Sequence, residues 1–360
     1  MHFLSNFLYY RVFDVADEIN LAKLTQLLSP TDSKVSRFAL KKINRSVFIA
    51  EAPVMVSIEP FELELGGVAR KIEVSFKIWN FGAISIQFKI IIQKEMTLKE
   101  IRELALIVEN HDPLFDRSKE YVVNFLKSIK ESAINPNFSG IYEDYLIYQM
   151  INQHGSEYTK ELLENNDLYN LLILDNESAL SHQTVEGIKS DIYQYSKDDL
   201  AIIDWNSALL VDRQDDTDIA DVIEYAVVQI LEMQYYDDLL DKRAGALYDS
   251  IKLKKKTILT NQYSKLSEEA AKIYMEISEV VENIENSLKV VGDFYYAKIF
   301  RAASKKFRFS DWQHSIDQKL ENLKEVSLLL HGEINEKRNQ IMEFIIIVLI
   351  AVEIVPLFFK

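Results

Sequence analysis

The apolar run at the C-terminal end constrains this chain of 360 residues more than any other feature. Residues 341–359 read IMEFIIIVLIAVEIVPLFF, and 16 of these 19 residues are aliphatic or aromatic. A helix of about 20 apolar residues crosses a hydrocarbon core of about 30 Å. We therefore predict a C-terminal transmembrane anchor over 341–359. The residues assigned to this predicted membrane span include Ile341, Phe344, Ile347, Ile350, Glu353 and Phe359.

Two carboxylates interrupt this run. Glu343 lies near one end, whereas Glu353 lies deeper, where an ionised carboxylate costs about 2.5–3.5 kcal/mol on insertion scales. The alternative is a terminal helix that is buried in a globular core or packed against copies of itself. Lys337 and Arg338 precede the run and Lys360 follows it, so the positive-inside rule predicts a cytoplasmic body.

Helical periodicity precedes the apolar run. Apolar residues recur every three or four positions in two stretches, which is the spacing of a coiled-coil seam. The first stretch contains Leu266, Ala270, Ile273, Ile277, Val280 and Ile284, and the second contains Ile316, Leu320, Leu323, Ser327, Leu330 and Ile334. We predict a helical stalk over 216–340, folded as an antiparallel hairpin around 291–308 and joining copies of the chain into a homo-oligomer.

The first 215 residues have mixed strand and helix character. Strands are predicted at 47–58, 71–79 and 83–92, and helices at 16–28, 97–110 and 113–132. After a linker, a strand is predicted at 142–151, a helix at 156–165 and further strands at 191–195 and 200–211. The predicted class is α+β, with α/β units over 1–133 and 141–215 before the helices. An internal duplication of the two units is the alternative.

Charge and composition exclude several functions. The net charge is −15, and residues 141–240 alone contain 22 acidic and 4 basic residues, so binding to DNA through a basic surface is excluded. This acidic segment suits a solvated surface, or contact with a basic protein partner that the sequence does not identify. The absence of cysteine excludes disulfides and thiolate metal sites.

No pattern in the sequence is typical of an enzyme. The six histidines form no ligand cluster, and there is no HExxH helix, phosphate-binding loop or GxSxG elbow. We therefore predict a protein without enzymatic activity, cofactor or metal. Asp215, Asp216 and Asp218 are interpreted as helix-capping residues rather than calcium ligands, and Asp237, Asp238 and Asp241 as a solvated face rather than a magnesium site.

One compact group of basic and aromatic residues is a candidate contact surface. It contains Arg301, Lys305, Lys306, Arg308 and Trp312. A packed tip of the stalk explains it without function. Contact with anionic lipid, RNA or an acidic partner is the functional alternative, although nothing else in the sequence supports RNA or ribosome binding.

Several stretches resemble one family. They include LYYRVFDVADEINLAKL near the start, YSKDDLAIIDWNSALLVD at 195–212, VGDFYYAKIFRAASKKFRFSDWQHSIDQKLENL at 291–323 and RNQIMEFIIIVLIAVEI at 338–354. The chain resembles a bacterial member of the "required for meiotic nuclear division" family, also called Sad1-interacting-factor-like. The resemblance implies a domain with no assigned chemistry. It also implies, for the mitochondrial members, association with the inner membrane and support of organelle translation.

These observations favour an oligomeric, tail-anchored scaffold or adaptor without enzymatic activity. The alternative is a homo-oligomeric cation channel with the layout of CorA-type magnesium channels and Glu353 lining the pore. This chain departs from the CorA-type layout, because it has one predicted span and no Gly-Met-Asn signature. A ligand-binding or nucleotide-binding site around Asp198, Asp199, Asp204 and Trp205 is a third hypothesis, and the same residues also fit a hairpin turn.

Overall fold

The structure is a computed structural model that describes residues 2–28, 34–37, 52–152, 155–174, 180–213, 215–254, 260–288 and 294–358. The chain divides into two compact units. Unit 1 comprises Met1–Glu232 and Ser287–Phe309, and unit 2 comprises Met233–Asn286 and Ser310–Lys360.

The strands among the described residues are β1 (Ser5–Asp14), β2 (Glu18–Ile19), β3 (Lys34–Arg37), β4 (Val54–Leu65), β5 (Val68–Ile78), β6 (Ala83–Ile90), β7 (Ala133–Ile134), β8 (Tyr142–Ile151), β9 (Ile192–Tyr193), β10 (Leu200–Ile203) and β11 (Ser207–Asp212). In unit 1 they form a nine-stranded sheet in the order β3-β4-β5-β6-β1-β8-β11-β10-β9, and β2 and β7 form a separate pair. Neighbouring strands of the large sheet are antiparallel, except that β8 and β11 are parallel.

The helices are α1 (Leu21–Leu28), α2 (Leu98–Glu109), α3 (Asp112–Ile129), α4 (Ser156–Glu164), α5 (Asp167–Ile173), α6 (His182–Lys189), α7 (Asp218–Lys254), α8 (Thr260–Leu288), α9 (Phe294–Lys306) and α10 (Phe309–Phe358). The sheet with its short helices comes first in the chain and is followed by the helices α7 to α10, which confirms the predicted α+β class. Helix α2 begins at a capping box, in which Thr97 accepts from the Glu100 amide and the Glu100 carboxylate accepts from the Thr97 amide.

Alternation along β5 separates the two faces of the sheet. Its apolar residues Ile72, Val74, Phe76 and Ile78 are at most 3% exposed and belong to one apolar core with residues of α1 to α5. The Phe76 ring, for example, lies 5.7 Å from Tyr121 of α3. We call this side of the sheet the apolar face and the side that carries Lys77 the polar face.

Strand β1 lies at the centre of the sheet and is buried along its whole length. It pairs with β6 on one side, where Phe7 faces Ile90, and with β8 on the other, where Phe7 faces Tyr148. Strands from the predicted segments 1–133 and 141–215 therefore join one continuous sheet through β1.

The predicted strand over 200–211 is instead a tight hairpin. Strand β10 ends at Ile203 and β11 begins at Ser207, and the Asp204 amide donates to the Ser207 carbonyl at 2.8 Å. The apolar residues on both sides of this short turn are buried, which is why the hydrophobic pattern continues through it.

Unit 2 buries much of the predicted seam. Leu266, Ala270, Ile273 and Ile277 of α8 are at most 5% exposed, whereas the side chains of Val280 and Ile284 lie outside the described residues. On α10, four predicted seam residues are buried, whereas Ser327 and Ile334 are partly exposed. The four are Ile316, Leu320, Leu323 and Leu330.

Polar contacts join the three helices of unit 2. The Ser267 hydroxyl of α8 lies 3.3 Å from the carbonyl oxygen of Ser327 in α10. Lys319 of α10 forms ion pairs of 2.7 Å with Asp237 and with Asp241 of α7. The helices therefore pack against one another within the chain.

Among the described residues, no helix has the length and apolarity needed to span a membrane. The transmembrane helix over 341–359 is therefore not supported by the structure and stays a prediction.

Candidate functional site

A cluster of buried charges lies on the polar face, under the first turns of α7. The Lys77 ammonium forms an ion pair of 2.6 Å with Asp221 and a second ion pair with Glu224. The Ser85 hydroxyl donates to Glu224 at 2.5 Å. All four residues are buried, and Glu224 is only 1% exposed. We call Lys77, Ser85, Asp221 and Glu224 the buried charge cluster.

Local sequence explains this geometry. Lys77 of β5 and Ser85 of β6 are direct partners across the two strands, so both side chains point to the same face. Asp221 and Glu224 are three residues apart on α7 and therefore share one side of the helix. Helix and sheet meet through these four side chains.

Electrostatics keep the Lys77 amine charged. Burial alone would lower the pKa of Lys77, but the adjacent carboxylates of Asp221 and Glu224 outweigh burial and raise it. An ammonium held in this way is neither a nucleophile nor a base near neutral pH. The arrangement is suited to fixing α7 on the sheet.

A second acidic pair is buried in unit 1, with Asp14 at the end of β1 and Glu232 on α7. Burial raises the pKa of Asp14 to about 7; a hydrogen bond with Ser139 opposes this rise, and the charge of Asp17 adds to it. Glu232 is fully buried, and neither of its carboxylate oxygens has a hydrogen-bond partner among the described residues. Burial and the charge of Asp14 raise the pKa of Glu232 well above its usual range. Both groups therefore favour the protonated form.

A cleft of about 290 Å³ opens on the polar face beside the buried charge cluster. Its lining residues are Met55, Ser57, Ile58, Pro60, Glu73, Val74, Ser75, Gln87 and Lys89. The two charged groups of the cleft are already paired, Lys89 with Asp215 at 2.5 Å and Glu73 with Lys71 at 2.7 Å. Both charged side chains that line the cleft are therefore neutralised by ion pairs within the protein.

A row of hydrogen bonds leads from this cleft into the interior. The Ser75 hydroxyl donates to the Gln87 side-chain carbonyl at 3.4 Å, and the Gln87 amide donates to the Tyr10 hydroxyl at 2.6 Å. Tyr10 is fully buried, and burial together with Glu224 raises its pKa. The row therefore connects the cleft to the buried Tyr10 hydroxyl.

The structure separates the residues of the predicted basic group. Lys306 turns inward and forms ion pairs with Asp191 at 2.9 Å and Asp204 at 3.2 Å. Arg301, Lys305 and Arg308 are exposed in unit 1, and Trp312, which belongs to unit 2, is partly buried. A role for the group in binding stays a prediction.

The acidic candidates are occupied by structural contacts. The Asp199 carboxylate accepts hydrogen bonds from the Tyr195 and Ser196 amides, each at 2.7 Å. Asp198 forms an ion pair of 2.6 Å with Arg213, and Asp237 forms an ion pair of 2.7 Å with Lys319. At the start of α7, Asp216 accepts from the Asp218 amide at 3.2 Å, which is a capping contact. Within the described parts of the chain, no group of three or more histidines or carboxylates could hold a metal ion.

The predicted anchor is exposed as far as its side chains are described. Large apolar residues between Ile341 and Val352 are 43–66% exposed: Ile341, Met342, Phe344, Ile345, Ile346, Ile347, Val348, Leu349, Ile350 and Val352. They follow one another around the helix, so every side of this segment is apolar. The side chain of Glu353, and Phe359, lie outside the described residues.

Sequence reasoning did not find the buried charge cluster. Lys77 stands in an alternating strand beside other polar residues, and nothing nearby distinguishes it from a solvent-facing lysine. The available signal was the pair Asp221 and Glu224, two acidic residues on the apolar side of a helix whose other residues there are Val, Ile and Ala.

The comparisons with known proteins point to one uncharacterised group. The family model described as "Uncharacterized protein MJ0711, N-terminal domain" matches residues 5–217. The chain is also similar to the "Uncharacterized protein MJ0711" of Methanocaldococcus jannaschii, with 23% identity over 287 residues that cover 79% of this chain and 81% of that protein. These matches do not support the resemblance to the Sad1-interacting-factor-like family.

Proposed function

The chain belongs to the family of the N-terminal domain of uncharacterised protein MJ0711. We propose that this family member is a membrane-attached scaffold without enzymatic activity. In this proposal the terminal part of α10 inserts into lipid, unit 2 brings copies of the chain together, and unit 1 provides a rigid surface for a protein partner.

One observation carries the proposal: apart from Glu343, the segment from Ile341 to Val352 is apolar, and its large apolar side chains are exposed all round the helix. A helix that docks on a protein needs one apolar stripe, whereas a helix that is apolar all round belongs in a protein core or in lipid. Burial in lipid would remove all of these side chains from water at once, at about 25 cal/mol for each Å² of apolar surface.

The chemistry of unit 1 agrees with a scaffold. Its buried amine is held as an ammonium by two carboxylates, and its cleft has charged groups that are already paired. Such contacts hold a shape and leave little for a substrate to bind. The channel alternative receives no comparable support, because it depends on Glu353, whose side chain lies outside the described residues.

The test is flotation of the purified full chain with neutral phosphatidylcholine vesicles, beside a variant that ends at Asn339. We expect the full chain to float and the shortened chain to stay at the bottom of the gradient. Equal behaviour of the two chains, in either fraction, would contradict lipid attachment through α10.

A pair of matched substitutions makes the test independent of truncation. Ile346→Lys with Ile347→Lys adds two charges to the apolar segment, where each costs about 2.5–3.5 kcal/mol at the centre of a bilayer. Leu328→Lys with Leu329→Lys adds the same charges to an earlier turn of α10, at side chains that are 62% and 71% exposed. The first variant should no longer float, and the second should float like the unaltered chain.

A further inference from the structure

Helix α9 has one strongly basic outer face. Lys298, Arg301 and Lys305 lie three and four residues apart and are all exposed, so they share the side of the helix that faces solvent. The opposite side is buried in unit 1 through Tyr295, Tyr296, Ile299, Phe300, Ala302 and Ala303. We call Lys298, Arg301 and Lys305 the α9 basic face.

The charge of this face is available to a partner. Arg301 and Lys305 form no ion pair with any side chain in the described part of the chain, and Lys298 lies 5.3 Å above the ring of Tyr193. The neighbouring Lys306 differs, since it turns to Asp191 and Asp204. The local aspartates thus neutralise the inward lysine and leave the three outward cations unpaired by carboxylates.

Two aromatic rings stand beside the α9 basic face. Phe294, at the start of α9, is 83% exposed, and Tyr195 is 79% exposed. The Tyr195 ring lies 5.4 Å from the ring of Tyr295, which fixes it next to α9. Exposed aromatic rings next to basic side chains are typical of the zone where a protein meets lipid headgroups.

We propose that the α9 basic face, with Phe294 and Tyr195, binds the anionic headgroups of a lipid surface. The inference builds on the proposed membrane attachment and adds the class of lipid that the protein selects. The three cations follow one short helix, which suits a flat layer of headgroups, whereas single-stranded nucleic acid is usually bound in a longer basic groove with several stacking rings.

The experiment compares flotation of the full chain with neutral phosphatidylcholine vesicles and with vesicles that also contain phosphatidylglycerol, at low and high salt. The variant carries Lys298→Ala, Arg301→Ala and Lys305→Ala. The matched control carries Lys99→Ala, Lys130→Ala and Lys160→Ala, three exposed lysines that form no ion pair within the described residues. A labelled single-stranded RNA serves as the competing ligand.

A basic residue at an anionic surface contributes about fivefold in partitioning, so three of them contribute about 100-fold at low salt. We expect the phosphatidylglycerol-dependent part of binding to fall by about that factor in the α9 variant, to stay unchanged in the control, and to weaken with salt in the unaltered chain. Binding to neutral vesicles should be equal for all three proteins.

The outcomes separate this inference from the proposed function. Loss of neutral binding with a persistent, α9-dependent response to phosphatidylglycerol would overturn insertion through α10 and leave the α9 inference standing. Equal phosphatidylglycerol binding by the α9 variant and the control would overturn the inference alone. RNA binding that depends on α9, without any vesicle effect, would overturn it in favour of a nucleic-acid surface, and absence of all vesicle binding would overturn both.

Discussion

At the scale of single residues, the buried charge cluster holds the Lys77 ammonium and the carboxyl groups of Asp221 and Glu224 away from water, and burial raises the pKa of both carboxyl groups. Moving an ion out of water costs several kcal/mol, and close opposite charges with good hydrogen bonds are needed to offset that cost. Lys77, Asp221 and Glu224 meet this condition only while all three are present, because each carboxylate is held by the same ammonium.

Lys77→Met should therefore be strongly destabilising. We expect a loss of about 3–5 kcal/mol in the free energy of unfolding, because two carboxylates stay buried without a cation. Urea unfolding followed by circular dichroism measures it. Lys71→Met on the same strand is the matched control, because its partner Glu73 is exposed, and it should cost less than about 1 kcal/mol.

A triple variant distinguishes charge from packing. Lys77→Met combined with Asp221→Asn and Glu224→Gln removes the charges and keeps similar volumes, so it should recover most of the lost stability. A triple variant as unstable as Lys77→Met would mean that shape, rather than charge, matters at this position.

The pair of Asp14 and Glu232 should make stability depend on pH. The pKa of Asp14 rises from 3.8 to about 7 on folding, and that of Glu232 rises as well, so the folded chain binds protons more tightly than the unfolded chain. The resulting stabilisation is complete below about pH 4 and is lost as the pH rises through about 7.

We expect Asp14→Asn with Glu232→Gln to flatten this part of the pH profile and to add on the order of 2 kcal/mol to the unfolding free energy at pH 8. Chemical unfolding at pH 5, 6, 7 and 8 measures the profile. An equally steep fall in the variant would assign the pH dependence to other groups.

At the scale of secondary structure, periodicity predicted β5, α2 and α3 well, because each buries one regular side. The predicted hairpin turn around 291–308 is instead occupied by helix α9. The strand at the centre of the sheet was not predicted. Strand β1 is buried on both faces, and its residues SNFLYYRVFD therefore do not alternate, which is the signal that identifies a half-buried strand. The hairpin at Asp204 was missed for a related reason, since apolar residues continue on both sides of a very short turn.

The turn between β5 and β6 depends on a glycine. Gly82 has a φ of +95°, and a Cβ atom there would lie 1.7 Å from the backbone oxygen of Ala16. Gly67, between β4 and β5, also has a positive φ of +76°, but a Cβ atom there would meet nothing within 4 Å. The two turns thus share a positive φ that would strain an alanine, and they differ in the space available for its Cβ atom.

We expect Gly82→Ala to cost more than about 3 kcal/mol, because strain and a backbone clash add together, and Gly67→Ala to cost about 1 kcal/mol, because only strain is present. Thermal unfolding of the two variants measures the difference. Similar melting temperatures for both would show that the segment around Ala16 moves aside easily.

At the scale of the whole molecule, the helices of unit 2 leave apolar side chains uncovered in a single chain. Met275 is 63% exposed, and Leu328 and Leu329 are 62% and 71% exposed. A second copy of the chain would cover such residues, which supports the proposed oligomer.

Light scattering of the detergent-solubilised full chain tests the oligomer. We expect a mass above that of the 41.8 kDa chain, and a shift toward the single chain in the variant with Leu328→Lys and Leu329→Lys. Because the same variant should still float with vesicles, assembly and membrane attachment are measured separately. A full chain that already has the mass of a single chain would contradict assembly through unit 2.

The position of β1 has a consequence for synthesis on the ribosome. Strand β1 is made before both of its neighbours, since Phe7 pairs with Ile90 and with Tyr148, and α9 joins unit 1 only after α8 has been made. Contacts between such distant parts of a chain form slowly and leave apolar strands open in the meantime. The apolar residues of β1 therefore stay uncovered during synthesis at least until β8 has been made.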